Sequence, residues 1–315
     1  MFKYLLKRIG YLIVTMWVVI TITFFLMNTL PGNPIEVSFR KLPPQIKKNI
    51  MAQYGLDKPI HIRYVKYLKQ ILKGDLGESV DTPGLRANDA IKERFPASAR
   101  LGLQSVFVGL VIGLIFGILA AFKRNTWVDY FVIFIAIIGV SVPNFVIAAL
   151  MQYFLGGIFP TMGWYSKGTS WFAGLKYTIL PTIALSFVSI ATYARYMRTS
   201  VLDVINQDYI LTAKSKGVPR IGIIWKHIIR NAILPIVTIL GPQIASIITG
   251  TFVIEMMFSI PGLGQYYVNS ITNRDYMIIM ATTIFFAFLY IVSLLVVDIL
   301  YIFIDPRIRI TGGKR

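Results

Sequence analysis

The chain has 315 residues, of which 56% are hydrophobic, and its mean hydropathy of +0.65 lies outside the usual range for a soluble globular domain. It has no cysteine and only two histidines, His61 and His227, which excludes disulfides and thiolate metal sites and argues against an intramembrane metal centre. A net charge of +18 would suit a nucleic-acid partner, but the basic residues collect at the ends of apolar stretches, which argues against nucleic acid.

Six apolar stretches of 18 to 26 residues contain no Asp, Glu, Lys or Arg. A helix needs about 20 apolar residues to cross roughly 30 Å of hydrocarbon. Because the stretches are continuous rather than alternating, they predict helices and not the strands of a barrel. The chain is therefore predicted to be an all-α integral membrane protein with six transmembrane helices at Ile9–Met27, Leu101–Phe122, Tyr130–Leu155, Tyr177–Ala194, Ala232–Ile254 and Tyr276–Val297.

The first stretch follows three basic residues, as the apolar part of a signal peptide would. It is longer than the usual 7–15 residues, however, and Pro31-Gly32-Asn33-Pro34 follows it in place of an A-x-A-like cleavage site. We therefore expect the first helix to be retained.

A long loop between the first two spans is expected to form a small extracytoplasmic helical domain. Gly55 and Pro59 separate two predicted short helices, one around Pro44–Tyr54 and one around Ile60–Leu72, and turn-rich sequence follows. A cap over the outer mouth and a contact with an external partner are both open interpretations of this domain.

The distribution of basic residues predicts the orientation. With the N-terminus in the cytoplasm, seven basic residues fall in the inner segment Arg195–Asn231, whereas the short outer segments hold only Lys167, Lys176 and Arg274. Six crossings return the C-terminus to the cytoplasm.

The predicted organisation is 1–30 for the N-terminal end and first helix, 31–99 for the outer loop domain, 100–305 for a five-helix core with a cytoplasmic loop at 195–231, and 306–315 for a cytoplasmic tail.

Small residues and prolines in the spans predict close helix packing and bends. Gly109, Gly113 and Gly117 form two overlapping G-x-x-x-G pairs, which let helix backbones approach closely in lipid. Bends at prolines free backbone carbonyls that transporters often turn toward a cavity. The prolines concerned are Pro143, Pro181, Pro235 and Pro242.

Polar groups inside the spans are few. Ion-coupled carriers need acidic groups near the midplane, and Asp129, Glu255 and Asp298 all lie toward the ends of their spans, which argues against ion coupling. The uncharged residues Asn144, Gln152 and Gln243 lie well within spans, where they line a path for a polar substrate or bond helix to helix. Both interpretations are open.

No nucleotide-binding G-x-x-x-x-G-K-[ST] loop occurs, nor any H-E-x-x-H or G-x-S-x-G motif. We therefore expect no enzyme activity and no catalytic, cofactor or metal site in this chain. A transporter built this way needs a separate source of energy.

The basic inner segment predicts a short capped helix. The run Asp208–Lys216 favours a helix with Asn206 or Asp208 as its N-cap, and Gly217 supplies a left-handed stop before Pro219. A second helical stretch is predicted at Ile221–Ile233. A short helix held off the membrane suits insertion into a partner's groove, and an interfacial helix lying on anionic lipid is the open alternative.

Several motifs together resemble one family. Tyr209–Gly217, followed by Arg230–Pro235, resembles the EAA loop of binding-protein-dependent ABC importer permeases. Leu211-Thr212-Ala213 stands where the general pattern has Glu-Ala-Ala, and the Thr-Ala-x-x-x-Gly form is that of the oligopeptide/dipeptide/nickel branch. Other stretches similar to that branch are Tyr54–Pro59, Gly74–Ser79, Ser141–Phe145, Glu255–Gly264 and Asp305–Arg307. The long first loop is similar to the B-type subunit, most closely that of the oligopeptide permeases of Gram-positive bacteria.

The resemblance implies a type I ABC importer permease fold in a bacterial plasma membrane, with this subunit forming half of a pathway for oligopeptides. The implied partners are a second homologous permease subunit, two ATP-binding subunits that carry ATP and Mg²⁺, and an extracytoplasmic peptide-binding protein. ATP binding and hydrolysis would drive alternating access. The residues implied to dock on an ATPase are Tyr209, Thr212, Ala213, Lys214, Lys216 and Gly217.

Rival functions make different predictions. The same architecture could import dipeptides or nickel complexes, because selectivity in the family lies largely in the binding protein. A self-sufficient secondary carrier or channel would transport by itself in liposomes. A scaffold or receptor would leave uptake of every tested peptide unchanged on deletion.

Overall fold

The computed structural model describes residues 2–29, 45, 57–165, 172, 174–250 and 252–304. Within these ranges the chain is helical, with a single isolated β-bridge between Glu78 and Arg86 and no strand. The helices are α1 (Phe2–Thr29), α2 (Ile60–Leu72), α3 (Ala87–Phe122), α4 (Trp127–Ser141), α5 (Asn144–Leu155), α6 (Leu175–Ile205), α7 (Asp208–Ser215), α8 (Arg220–Ala232), α9 (Leu234–Gly250), α10 (Phe252–Met257), α11 (Leu263–Thr272) and α12 (Tyr276–Ile304). Apart from Gln45, the helix predicted around Pro44–Tyr54 lies outside the described residues, as does the predicted tail 306–315.

In the part of the chain that the structure describes, four helical segments are long and apolar enough to cross a membrane, namely Lys7–Thr29, Ala87–Phe122, Leu175–Ile205 and Tyr276–Ile299. Two more spans are obtained if each bent pair of helices counts as one. These pairs are α4 with α5, bent by 108°, and α8 with the first part of α9, bent by 46°. The predicted number of six spans is reached when each bent pair counts as one span, and the third span is broken instead of straight. The second pair starts at Arg220 and ends at Ile244, so its bounds differ from those of the predicted fifth span, Ala232–Ile254.

Proline accounts for the sharper of the two breaks. The ring of Pro143 disfavours a helical conformation for the residue before it, and Val142 is extended, with φ −93° and ψ 123°. Pro235 lies in the first turn of α9, directly after the 46° bend, where its missing N–H costs no helical hydrogen bond. By contrast, α6 and α9 continue through Pro181 and Pro242.

One compact unit comprises residues 1–97 and 261–291. Its core lies between α1, α2 and α12, where Phe24, Tyr67 and Met280 are buried together. The hydroxyl groups of Thr21 and Tyr64 lie 2.7 Å apart and join α1 to α2 by a hydrogen bond. The prediction of a helix at Ile60–Leu72 is confirmed with the same bounds.

Asp275 attaches the turn-rich part of the first loop to the start of α12. One carboxylate oxygen accepts hydrogen bonds from the backbone N–H of Ile278 at 3.3 Å and of Val80 at 3.2 Å, and the other accepts one from the hydroxyl of Ser79. Asp275 is therefore an N-cap that also positions a distant loop.

The second compact unit comprises residues 98–260 and 292–315, and α6 supplies much of its buried surface. A Cβ at Gly113 of α3 would lie 2.7 Å from the Cβ of Tyr193, and one at Gly117 would lie 2.6 Å from the carbonyl oxygen of Ala194. A Cβ at Gly109 would lie still closer to the Cβ of Ser189. These approaches confirm the predicted close packing of the glycine helix and identify α6 as its neighbour.

Candidate functional site

The segment predicted to dock a partner folds as a short helix, α7, followed by a turn and α8. Its N-cap is Gln207, and no side chain caps this end, so the prediction of Asn206 or Asp208 as N-cap is wrong. Asp208 is instead the first residue of the helix. Its carboxylate there is favoured by the partial positive charge of the helix N-terminus.

Gly217 ends α7 in a Schellman motif. Its backbone has φ +73°, and its N–H donates to the carbonyl oxygen of Lys214 at 3.0 Å. The N–H of Val218 donates to the carbonyl oxygen of Ala213 at 3.2 Å, which completes the paired hydrogen bonds of this motif. The predicted left-handed stop at Gly217 is confirmed, and Pro219 prevents the helix from continuing.

The second predicted helical stretch, Ile221–Ile233, corresponds to α8 at Arg220–Ala232. Its middle part, Ile223–Ile229, is π-helical. This form is rare in proteins, and where it occurs it is often at a functional site. Near its end, the side-chain amide of Asn231 donates to the hydroxyl of Tyr209 at 3.1 Å. This bond joins α8 to α7 across the turn.

An apolar cluster, here called the loop core, fixes α7 and α8 to the end of α6. Ile210 is 0% exposed and Ala213 is 6% exposed, so the inner face of α7 is part of this cluster. Burial of a side chain of the size of isoleucine contributes roughly 1.5–3 kcal/mol. The buried members of the loop core are Ala121, Tyr193, Met197, Val201, Ile210, Ala213, Ile223, Ile228, Ala232 and Ile236.

The opposite face of α7 is open. Of the six residues implied to dock, Tyr209, Thr212, Lys214, Lys216 and Gly217 are exposed. Ala213 differs, because its side chain faces the loop core and so holds α7 in place instead of facing outward.

Leu211 was not among the residues implied to dock, yet it is 57% exposed on the outer face of α7, beside Tyr209 at 41%. The sequence carries a signal for it. Within α7 the apolar residues Ile210 and Ala213 lie three apart and share one face, whereas Leu211 falls off that face.

The outer surface of this region is basic. Between residues 207 and 232 the only acidic residue is Asp208, and the sequence includes Lys214, Lys216, Arg220, Lys226 and Arg230, all of which are exposed. Such a surface favours an acidic or anionic partner.

A partly buried ion pair links the start of α4 to α6. The guanidinium of Arg198 donates two hydrogen bonds to the carboxylate of Asp129, Nε to Oδ1 at 2.6 Å and Nη2 to Oδ2 at 2.7 Å. The backbone N–H of Asn125 donates to the same carboxylate at 3.0 Å. Asp129 is 1% exposed, so the paired geometry offsets the cost of burying its charge.

Two of the three candidate path residues bond helix to helix or helix to loop. The amide nitrogen of Gln152 donates to the carbonyl oxygens of Thr161 at 2.8 Å and Met257 at 3.0 Å. The amide nitrogen of Gln243 donates to the hydroxyl of Ser189 at 2.9 Å and so joins α9 to α6. For Gln152 and Gln243 the structure therefore favours a role in bonding helices together over a role in lining a substrate path.

Asn144 differs from the other two candidates. It is the first residue of α5, directly after the 108° break, and its buried side-chain oxygen has no hydrogen-bond partner among the described residues. For Asn144 both interpretations therefore stay open.

No group of three or more His, Asp and Glu side chains within the described ranges is arranged to hold a metal ion.

The chain matches two protein-family descriptions over most of its length. Residues 113–310 match the binding-protein-dependent transport system inner membrane component, and residues 1–99 match the N-terminal part of the membrane component of such systems. The chain therefore belongs to the family of binding-protein-dependent transport system inner membrane components, and it is a multi-pass membrane transport subunit.

Curated relatives are similar along the full chain. Over 313 residues the chain is 41% identical to the dipeptide transport system permease protein DppB of Bacillus subtilis (strain 168), covering 98% of this chain and 99% of that protein. Over 310 residues it is 41% identical to the oligopeptide transport system permease protein OppB of Escherichia coli (strain K12), covering 98% of this chain and 100% of that protein.

A solved structure supports the fold. A chain of the MetNI methionine ABC transporter, in inward facing conformations, matches with a TM-score of 0.50 at 15% sequence identity, covering 68% of this chain and 96% of that chain. The fold is thus that of a type I ABC importer permease, as the sequence motifs implied.

Proposed function

We propose that this chain forms half of the translocation pathway of an ATP-driven peptide importer in a bacterial plasma membrane. It assembles with a second, homologous permease subunit, two ATP-binding subunits and an extracytoplasmic peptide-binding protein. ATP and Mg²⁺ bind to the ATP-binding subunits, and both termini of this chain lie in the cytoplasm.

The observation that carries this proposal is the two-faced character of α7. Ile210 and Ala213 bury one face in the loop core, which includes Tyr193, Met197 and Val201 of α6. The other face presents Tyr209 and Leu211 outward. If a partner that binds α7 moves, the end of α6 would therefore move with it, because the two helices share one packed core.

This coupling supports alternating access. Closure of two ATP-loaded subunits changes the distance between the helices that they grip, and a ligand shifts a conformational equilibrium by its differential affinity for the two states. The Schellman turn at Gly217 fixes where α7 ends and α8 begins, so the gripped helix keeps a defined direction relative to α6.

Peptides are the substrate class that the relatives favour. DppB is named for dipeptide transport and OppB for oligopeptide transport, and the chain is 41% identical to each. Peptide length is therefore the property to measure, with nickel complexes as the competing substrate.

Gly217 offers the sharpest test of the proposal. The space around a Cβ at position 217 is open, so a substitution acts through the backbone, where φ +73° costs an ordinary side chain roughly 1–2 kcal/mol. We expect Gly217→Val to abolish peptide uptake in cells that lack other peptide importers, with normal amounts of the subunit in the membrane. Labelled dipeptides, tetrapeptides and hexapeptides, and a nickel complex, are offered in turn.

The matched control is Gly217→Asn, because asparagine tolerates the left-handed conformation and should retain most uptake. Normal uptake by Gly217→Val would contradict the proposed docking. Uptake by this chain in the absence of ATP-binding subunits would contradict the whole proposal.

A further inference from the structure

A groove of about 660 Å³ opens beside α7 within the second unit. Its apolar floor comes from the last turns of α3 and α6, from Ile210 of α7, from Val218 in the following turn and from the π-helical part of α8. The residues at the ends of α3 and α6 include Phe122, Leu202 and Ile205. The volume lies in the range of sites that hold small molecules.

The polar residues of the groove are of one charge sign. Arg124, Lys214 and Arg220 line it together with the uncharged Asn206, and among the residues that the structure describes no Asp or Glu lines it. All three basic side chains are exposed, so they surround an apolar floor with positive charge. A ligand that fits both features has an apolar body and an anionic head.

The groove lies at the end of two membrane-spanning helices. Phe122 is the last residue of α3, and Ile205 is the last residue of α6. Trp127 follows Arg124 by three positions, is 75% exposed, and stacks on Phe131 with ring centroids 5.5 Å apart. Exposed tryptophan rings favour the membrane interface, so Arg124 lies at the depth of lipid headgroups.

We propose that this groove binds one anionic phospholipid. An acyl chain lies along Phe122, Leu202 and Ile205, and the phosphate is held by Arg124, Lys214 and Arg220. The proposal depends on α3 and α6 crossing the membrane and does not depend on the proposed transport function. It places a lipid against the loop core, so that the lipid composition of the leaflet acts on the position of α7.

The occupant of the groove is a lipid and not free phosphate or an acidic segment of a protein. Free phosphate would use the three cations but leave the apolar floor exposed to water. An acidic protein segment would approach from the open side of α7, where Tyr209 and Leu211 point, whereas the groove is formed from the ends of the membrane helices. Basic pockets at such helix ends are known sites for anionic lipid headgroups.

The test uses the tagged full chain, extracted with its associated subunits and equilibrated in micelles with equal amounts of phosphatidylglycerol and phosphatidylcholine. Native mass spectrometry measures which lipid stays bound and in what number. The test variant is Arg124→Gln combined with Arg220→Gln. The matched control is Lys123→Gln combined with Lys226→Gln, which removes the same charge from nearby exposed residues outside the groove.

We expect the unmodified chain to retain one phosphatidylglycerol in preference to phosphatidylcholine. The test variant should lose this preference roughly 30-fold, given the contribution of each basic residue near an anionic surface, and the control should keep it. A second variant, Leu202→Trp, fills the apolar floor with all charges intact and should also displace the lipid.

Equal loss of preference in the test variant and the control would overturn the proposal, because it would reduce the effect to overall charge. So would the absence of any preference in the unmodified chain. If the test variant kept its lipid but lost its ATP-binding subunits, the groove would be a protein interface and the proposal would be wrong. Lipid binding and subunit binding are read in the same spectra, so failure of one is distinguishable from failure of the other.

Discussion

At the scale of single residues, Ile210 and Leu211 are neighbours with opposite surroundings. Ile210 is 0% exposed in the loop core, whereas Leu211 is 57% exposed on the outer face of α7. Of two similar side chains one position apart, Ile210 therefore holds the helix in the loop core, and Leu211 is the one free to contact the proposed partner.

We predict that Leu211→Ala weakens binding of the ATP-binding subunits by about tenfold or more while leaving the thermal stability of the subunit unchanged. Ile210→Ala should instead lower the free energy of unfolding by about 2–5 kcal/mol, because it removes a buried side chain and leaves a cavity. Subunit binding is measured by co-purification, and stability by thermal unfolding in detergent. Equal effects of the two substitutions on stability would contradict the assignment.

The ion pair of Asp129 and Arg198 makes a second residue-scale prediction. Asp129→Asn replaces the carboxylate that accepts both guanidinium hydrogen bonds with a neutral amide. Arg198, which is only 22% exposed, would then lie beside an uncharged group. We expect a loss of about 1–3 kcal/mol in the free energy of unfolding. In a double-mutant cycle with Arg198→Gln, the double variant should be less destabilised than the sum of the single variants. Strict additivity would show that the pair contributes nothing beyond its separate residues.

Sequence reasoning found the residues whose role depends on local conformation and missed those whose role depends on distant contacts. The left-handed stop at Gly217 is predictable because it depends only on the backbone of that residue and on the flanking helix. The roles of Arg198 and Asp275 are not predictable in this way, because their partners, Asp129 and Ser79, lie 69 and 196 positions away. The motif alone groups Ala213 with the docking residues, and only its contacts place it in the loop core.

At the scale of elements, the glycines of α3 set how closely it packs on α6. A Cβ at Gly113 would lie 2.7 Å from the Cβ of Tyr193 and 3.0 Å from the carbonyl oxygen of Ile190. Neither neighbour is the flexible end of a long side chain, so the helices must separate if a methyl group is added.

We predict that Gly113→Ala lowers the free energy of unfolding by about 1–3 kcal/mol, as overpacking does in other cores. Gly157→Ala is the control, because nothing lies within 4 Å of its Cβ, and it should change stability by about 0.5 kcal/mol or less. Both are measured by thermal unfolding in detergent. If the two substitutions had the same effect, close packing of α3 on α6 would not be a source of stability.

The number of spans followed from hydrophobicity, but their shape did not. Residues 130–155 form one continuous apolar stretch, yet Pro143 divides it into α4 and α5 with a bend of 108°. Pro181 and Pro242 are equally visible in the sequence and leave α6 and α9 continuous. Whether a proline breaks a helix depends on whether neighbouring groups satisfy the freed carbonyls, and a hydropathy pattern carries no information about that.

At the scale of the whole molecule, the chain is a helical membrane subunit of a binding-protein-dependent transport system. The fold and the family are established by the helical architecture and by matches along nearly the whole chain. The importer, with its partner subunits and its peptide substrate, is the proposal built on them. The proposal depends on α7, which is packed against the membrane helices on one face and exposed on the other.

The most direct measurement is a purification of the tagged chain from its native membrane in mild detergent, with the partners identified by mass spectrometry. We predict recovery of a second permease subunit, two copies of ATP-binding subunits and a peptide-binding protein, with the ATP-binding subunits reduced in the Gly217→Val variant. A chain recovered alone, stable and monodisperse, would contradict the account and favour a self-sufficient carrier.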